Sequence, residues 1–130
     1  MPKPLFKLIV AGSRTFRPSD SETIEYLAKL DKQLSEKATT HRIVIVSGTA
    51  AGADRFGEYY AQLRGYTVER YPADWATHGK SAGYKRNVRM AKVADALTTF
   101  WDGESRGTKH MIDIARSHNL PTRTINFRSF

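Results

Sequence analysis

Three short segments combine glycine with hydroxyl-bearing or basic side chains, which are the residue types that bind phosphate and other small anions. The first runs from Gly12 to Phe16 (GSRTF), where the glycine allows the backbone to turn tightly. Ser13 supplies a hydroxyl group, and Arg14 supplies a planar guanidinium that can hold two phosphate oxygens at once. An ordinary turn that carries a surface arginine explains this segment equally well when it is taken alone.

The second segment, SGTAAGAD at residues 47–54, places small residues between Gly48 and Gly52 just before a predicted helix. Free backbone N–H groups and aligned peptide dipoles at a helix N-terminus favour negative charge, so we predict that Gly48, Thr49 and Gly52 contact a phosphate. The spacing matches neither the P-loop nor the dinucleotide-binding fingerprint, because no Gly-Lys-Ser/Thr and no third spaced glycine follow. Asp54 could accept hydrogen bonds from a ribose or cap the helix, and capping is the commoner duty.

The third segment, residues 101–108, ends in Gly107 and Thr108, again at the start of a predicted helix. It therefore offers another group of backbone N–H donors, together with a hydroxyl and the nearby charge of Arg106. Three such segments in one chain favour a ligand site more strongly than any one of them does.

The long connection before the third predicted helix, which we expect to be irregular, adds side chains that recognise ligands. Trp75 could stack on a base or simply cover the core, and Arg86 and Asn87 could reach polar groups of a ligand. The candidate ligand-binding residues are Gly12, Ser13, Arg14, Gly48, Thr49, Gly52, Asp54, Trp75, Arg86, Asn87, Gly107 and Thr108.

No catalytic residue can be assigned, and we expect neither a metal site nor a cofactor other than a nucleotide-like ligand. The chain has no cysteine, which excludes thiol chemistry and cysteine-ligated metals. His78 has no histidine or carboxylate at ligand spacing. The other histidines, His41, His110 and His118, fall at element ends or on helix faces, where we expect surface roles.

The elements that must position these residues alternate between strand and helix. Apolar runs predict strands at residues 5–11, 43–46, 66–71, 96–101 and 122–126. Helical spacing predicts a helix capped at Ser19 and reaching Leu34, followed by helices at 53–64, 84–94 and 107–118. This order predicts the α/β class: a single Rossmann-like, three-layer domain over residues 1–130 with a mostly parallel five-stranded sheet. Ligands bind beyond the carboxyl ends of such strands, where the three segments should meet.

Composition narrows the setting of the protein. The 130 residues carry a formal charge of +8, and no apolar run approaches the roughly 20 residues that a membrane span needs. The N-terminus lacks the pattern of a signal peptide, so we expect a cytoplasmic protein without membrane contact. The basic residues are scattered from Lys3 to Arg128, which favours a solvated basic surface over a nucleic-acid-binding tail.

The motifs occur in an order that resembles the YspA-like branch of the SLOG superfamily. These are small Rossmann-like domains related to the DNA-processing protein DprA (Smf) and to the LOG phosphoribohydrolases. The resemblance runs from about Leu8 to Pro121 and is carried by residues 12–16, 48–54, 72–75 with 78–79, 82–87 with 90, 94–95, 100–103, 107–108 and 111–112.

The resemblance implies a domain that binds a nucleotide or nucleotide-derived molecule, as a sensor or as an enzyme that cleaves the N-glycosidic bond of a nucleoside 5′-monophosphate. The chain departs from the hydrolase branch where Met111 stands in the place of a catalytic glutamate, because methionine cannot transfer a proton. Likeness to DprA is confined to residues 47–54. The ligand contacts carried over by the resemblance are Gly12, Ser13, Arg14, Gly48, Gly52, Asp54, Gly107 and Thr108.

We therefore predict a module that senses or sequesters a small anionic nucleotide or nucleotide-derived ligand at the carboxyl edge of the sheet. A nucleotide N-glycoside hydrolase that uses carboxylates such as Asp54 is the alternative. Binding of single-stranded nucleic acid is possible but not favoured, because the basic residues are dispersed. A homo-oligomer is possible through Tyr59, Tyr60 and Leu63, although these side chains could instead pack in the core.

Overall fold

The computed structural model describes residues 2–128, which form an α/β fold with helices on both faces of a five-stranded sheet. The strands are β1 (Leu5–Gly12), β2 (Arg42–Ser47), β3 (Thr67–Arg70), β4 (Ala96–Trp101) and β5 (Thr122–Asn126). The helices are α1 (Asp20–Leu34), α2 (Ala53–Arg64), α3 (Trp75–His78), α4 (Ala82–Val93) and α5 (Arg106–Ser117), with 3₁₀ turns at Lys37–Thr39 and Gly79–Ser81. Within residues 2–128, no helix combines the length and the apolar content needed to cross a bilayer.

The strand order is β3-β2-β1-β4-β5, and every neighbouring pair is parallel. The chain winds outward from β1 through β2 to β3, then returns to the other side of β1 and continues through β4 to β5. The point at which the winding direction reverses therefore lies between β1 and β4. Gly12 is in register with Phe100, so both strands end at the same edge of the sheet, where such folds bind ligands.

Successive residues of β1 point to opposite faces of the sheet and so divide the core in two. Leu8 and Val10 join the cluster that contains buried side chains of α1 and α2, while Ile9 and Ala11 join the cluster that contains those of α4 and α5. Because both faces are covered, the central strands are apolar along most of their length, as the sequence predicts.

Local signals place several element ends where the sequence predicts them. The Ser19 side chain accepts the N–H of Glu22, and the Glu22 carboxylate accepts the N–H of Ser19, which completes a capping box at α1. Gly65 ends α2 in the left-handed conformation at φ +72°. The predicted bounds of α2, β4 and β5 are confirmed.

Other boundaries differ from the predictions for identifiable reasons. The predicted third strand began at Tyr66, but the N–H of Tyr66 donates to the Ala61 carbonyl at the end of α2, so β3 starts one residue later. The connection expected to be irregular contains α3, because the Asp74 side chain accepts the N–H of Thr77 at 3.1 Å and starts a helical turn. The 3₁₀ turn at Gly79–Ser81 then connects α3 to α4, which begins two residues before its predicted start.

The residues considered for an oligomer contact divide between the core and the surface. Tyr60 is fully buried against the sheet, whereas Tyr59 and Leu63 are each 46% exposed on the outer side of α2. The core interpretation is therefore confirmed for Tyr60 alone, and a homo-oligomer remains a prediction.

Candidate functional site

A cavity of about 400 Å³ opens at the edge of the sheet where β1 and β4 end. Its apolar lining includes Ala11, Met90 and Met111, which are not among the predicted ligand-binding residues. Its wall also includes Thr15, Lys80, Tyr84, Asp102 and Ser105. Nine of the twelve predicted ligand-binding residues line the cavity: Gly12, Ser13, Arg14, Asp54, Trp75, Arg86, Asn87, Gly107 and Thr108.

The backbones at the ends of β1 and β4 lie so close together that residue 12 must be glycine. A Cβ atom at this position would lie 2.0 Å from the Phe100 carbonyl oxygen, so no other residue fits without displacing the backbone. The N–H of Ser13 donates to the same carbonyl at 2.9 Å, and the Ser13 hydroxyl accepts the N–H of Asp102 at 3.0 Å. The first and third segments thus form one hydrogen-bonded wall of the cavity, and the buried Ser13 hydroxyl helps to hold it together.

The second segment supports the site mainly from behind. Gly48, Thr49 and Gly52 do not line the cavity. The N–H groups of Thr49, Ala50 and Ala53 donate to the Ser47 hydroxyl, the Asp54 carboxylate and the Ser13 carbonyl, at 3.0, 3.1 and 3.2 Å. The N–H groups of Thr49, Ala50 and Ala53 are therefore not free, and for these residues the prediction of free backbone donors is wrong. The second segment and the neighbouring first segment supply acceptors that only the folded chain brings together.

The side chains of Asp54, which is buried, and Arg86, which is half-buried, line the cavity and both lie against Gly48. A Cβ on Gly48 would lie 2.5 Å from Nη1 of Arg86 and 2.8 Å from Oδ2 of Asp54. Arg86 donates to the Gly48 carbonyl through Nη1 and to Oδ1 of Asn87 through Nε, the latter at 3.1 Å. Burial lowers the pKa of Arg86, while the carboxylate of Asp54 opposes that shift. The Asp54 carboxylate thus accepts the N–H of Ala50 within the second segment and also lines the cavity.

The environments of the two cavity carboxyl groups shift their pKa values in opposite directions. Burial raises the pKa of Asp54 to about 6, although the N–H of Ala50 and the charge of Arg86 act against the increase. Asp102 instead accepts the N–H groups of Glu104 and Ser105 at 2.9 and 2.8 Å, and these bonds lower its pKa. The cavity thus holds one carboxyl group whose pKa is lowered and one whose pKa is raised toward neutrality.

The first turn of α5 offers backbone donors to the cavity. The helix begins after Ser105, whose side chain makes no capping bond, and Gly107 and Thr108 occupy the first turn. First-turn N–H groups have no acceptor within their own helix, and those of Gly107 and Thr108 have no other acceptor among residues 2–128. Because both residues line the cavity, the positive end of the α5 dipole points toward it.

Arg14 and two aromatic side chains surround the mouth of the cavity. Trp75 is 51% exposed and Tyr84 is 44% exposed, so neither covers the core in the way that an isolated tryptophan often does. The guanidinium carbon of Arg14 lies 5.9 Å from the centroid of the Trp75 ring. The mouth therefore presents an exposed cation and two flat aromatic surfaces to a ligand.

His110 supports the site from behind, a role that the sequence did not indicate. Its ring lies 4.4 Å from the Tyr84 ring, and its Nδ1 lies 3.2 Å from Nδ2 of Asn87. Asn87 also donates to the Gly107 carbonyl at 3.3 Å, so its amide links α4 to the start of α5. Burial lowers the pKa of His110, which fits a neutral ring accepting from Asn87. The helix predicted over residues 107–118 places His110 on a helix face, but only the packing of α4 against α5 shows what its ring contacts.

Histidine and acidic side chains do not gather into a metal-binding group of three or more within residues 2–128. The donors that face the cavity suit an anion with hydroxyl groups rather than a cation, since two arginines and a helix N-terminus surround it.

Comparisons with known proteins identify the family to which the chain belongs. The family model described as "YspA, cpYpsA-related SLOG family" matches residues 6–78. The Gene 61 protein of Mycobacterium phage D29 is 32% identical over 127 residues, an alignment that covers 93% of this chain and 95% of that protein.

Two solved structures share the fold. The X-ray structure of TM1055 superposes with a TM-score of 0.64 at 18% identity, covering 90% of this chain and 72% of that one. DNA processing protein A from Helicobacter pylori, described for its single-stranded DNA binding mode, gives a TM-score of 0.62 at 20% identity, covering 94% of this chain and 65% of that one. The architecture is thus shared with both structures, and the family match extends over more than half of the chain. The chain belongs to the YspA, cpYpsA-related SLOG family.

Proposed function

We propose that the cavity binds a small nucleotide with its phosphate on Arg14 and the first turn of α5. The observation that carries this proposal is the combination, in one cavity, of free N–H groups at Gly107 and Thr108 with an arginine that has no acidic partner among the described residues. Guanidinium and helix N-terminal donors together form a recurrent phosphate-binding arrangement.

The rest of the cavity suits the remainder of a nucleotide. Trp75 and Tyr84 offer exposed ring faces on which a base can stack. Asp54 and Asp102 offer carboxylate oxygens that can accept hydrogen bonds from ribose hydroxyl groups. The volume of about 400 Å³ lies toward the lower end of the range for small-molecule sites, which runs from roughly 300 to 1,000 Å³. We therefore assign a mononucleotide-sized ligand to the cavity.

A thermal-shift screen tests this proposal. Nucleoside 5′-monophosphates are expected to raise the melting temperature more than the matching nucleosides or inorganic phosphate, because only the monophosphates fill both ends of the cavity. A ligand at 100 times its Kd adds about 2.7 kcal/mol of stability. Arg14→Gln should weaken binding at least about tenfold by removing charge-assisted hydrogen bonds.

Arg123→Gln serves as the matched control, because Arg123 is exposed on β5 and does not line the cavity. It should leave the ligand-induced shift unchanged. The proposal fails if no nucleotide stabilises the protein, or if the two arginine variants weaken the shift equally.

Cleavage of the bound nucleotide is the second candidate function, and the opposite pKa shifts of Asp54 and Asp102 favour it. Carboxyl groups with separated pKa values can act as acid and base in glycosidic hydrolysis. Release of free base during incubation with the stabilising monophosphate would support cleavage. Recovery of the intact nucleotide would leave binding as the function.

A further inference from the structure

The positive charge of the protein is collected on one of its two helical layers. Helix α4 carries four basic residues and no acidic one, and α5 carries three basic residues and one acidic residue. On the opposite face of the sheet, α1 carries four acidic and two basic residues, and α2 carries two of each. The scattering of basic residues along the sequence therefore does not persist in the fold.

Three basic side chains on α4 form a continuous exposed stripe, which we call the α4 stripe: Lys85, Arg89 and Lys92. Their spacing of four and three residues places them on one side of the helix over about 10 Å. Among residues 2–128 none of the three lies within ion-pair distance of a carboxylate. Arg89 stacks at 5.3 Å over the Tyr71 ring and Lys85 lies 3.1 Å from Nδ1 of His78, contacts that orient both side chains without neutralising them.

The α4 stripe begins at the mouth of the cavity. Tyr84 lines the mouth with 44% of its surface exposed and directly precedes Lys85. A ring atom of Trp75 lies 3.5 Å from the position that a Cβ on Gly83 would occupy, so Trp75 lies beside the start of α4. Lys80 lines the same mouth, and no ion pair involves it within the described residues. A line of unpaired cations thus leads away from two exposed aromatic rings.

We propose that the α4 stripe and the two mouth aromatics bind single-stranded nucleic acid. Cations that follow one line fit a phosphate backbone, and exposed ring faces fit bases that have no pairing partner. A duplex keeps its bases stacked inside and cannot use Trp75 and Tyr84. The inference concerns a polymer on the outer surface of α4. It shares Trp75 and Tyr84 with the proposed mononucleotide site, but the three stripe residues do not line the cavity, so variants of the stripe test it separately.

Fluorescence anisotropy with fluorescein-labelled dT15 tests the inference across a range of salt concentrations. The wild-type protein should bind, and Lys85→Gln/Arg89→Gln/Lys92→Gln should bind at least about tenfold more weakly near physiological salt. For single strands, the slope of log K against log salt concentration is roughly −0.7 per phosphate contact. Removing three contacts should therefore lower the magnitude of this slope by about 2.

The matched control removes the same charges from the opposite end of the fold. Lys32, Lys37 and Arg42 are exposed, lie outside the α4–α5 layer, and form no ion pair within residues 2–128. Their triple glutamine variant should retain the wild-type slope. Trp75→Ala/Tyr84→Ala should weaken dT15 binding about tenfold or more while leaving the slope nearly unchanged, because stacking involves no counterions.

Several results would overturn the inference. The first is no binding of dT15 at about 50 mM salt, a low salt concentration at which phosphate contacts are strong. The others are equal weakening by the two triple variants and equal affinity for a duplex of the same length. Preference for phosphatidylserine vesicles over dT15 would assign the stripe to a membrane surface instead. Both triple variants should keep the mononucleotide-induced thermal shift, so loss of dT15 binding in the stripe variant is distinguishable from failure of the cavity proposal.

Discussion

Gly52→Ala is expected to destabilise the fold by about 3 to 5 kcal/mol, or to prevent folding. Gly52 adopts φ +79° and ψ −122°, a backbone conformation that residues with a side chain rarely take. A Cβ there would lie 2.3 Å from the Ser13 carbonyl oxygen and 2.7 Å from the Arg14 carbonyl oxygen. Conformational strain and steric overlap add at this position, because the first and second loops meet backbone to backbone.

Gly65→Ala separates strain from overlap. Gly65 ends α2, the helix that begins after Gly52, and also has a positive φ of +72°, but nothing lies within 4 Å of a Cβ added to it. We expect a loss of about 1 kcal/mol, from backbone strain alone. Urea denaturation followed by circular dichroism measures both variants. Similar losses for the two substitutions would contradict the close approach of the two loops at Gly52.

Asp54 should make the protein less stable as the pH rises from about 4 to about 7. Its pKa is raised from the ordinary value of 3.8 to about 6 by burial, so the folded state binds its proton more tightly than the unfolded state does. At a pH between these two pKa values the unfolded state has lost the proton and the folded state has kept it, so stability falls with increasing pH. The difference between the two pKa values corresponds to roughly 2 to 3 kcal/mol of unfolding free energy.

Asp54→Asn cannot ionise, so the difference in unfolding free energy between wild type and this variant isolates the effect. That difference should decline across the interval and level off above about pH 7. Asp113→Asn is the control, because the Lys109 ammonium lowers the pKa of the exposed Asp113 carboxyl and reverses the sign of the pH dependence. Parallel pH profiles for wild type and Asp54→Asn would show that the carboxyl is not buried as described.

The fold was predictable because each element carries its own signal. The capping box at Ser19, the glycine after α2 and the apolar runs of β1, β2 and β4 mark alternating strands and helices. That alternation dictates a parallel sheet whose loops meet at one edge. The predicted bounds of β3 and α4 differ from those in the structure, because they depend on hydrogen bonds such as that from Tyr66 to Ala61 and that from Thr77 to Asp74.

The site was only partly predictable, since loop residues can be assigned to an edge but not to a surface or an interior. Local sequence cannot reveal that Ala50 donates to Asp54 or that Ala53 donates to Ser13, and these contacts occupy donors that the sequence left free. The charge asymmetry has the same origin. Basic residues of α4 and acidic residues of α1 balance along the chain, but the sheet separates them onto opposite faces.

The most direct test of the phosphate assignment is an amide ¹H–¹⁵N NMR titration with the nucleoside 5′-monophosphate that stabilises the protein best. The backbone resonances of Gly107 and Thr108, which lie at the cavity wall, should show the largest shifts and should move far less with the matching nucleoside. Gly65, at the far end of α2, should not move. Equal shifts with nucleotide and nucleoside, or shifts confined to residues outside the cavity, would contradict phosphate binding at the start of α5.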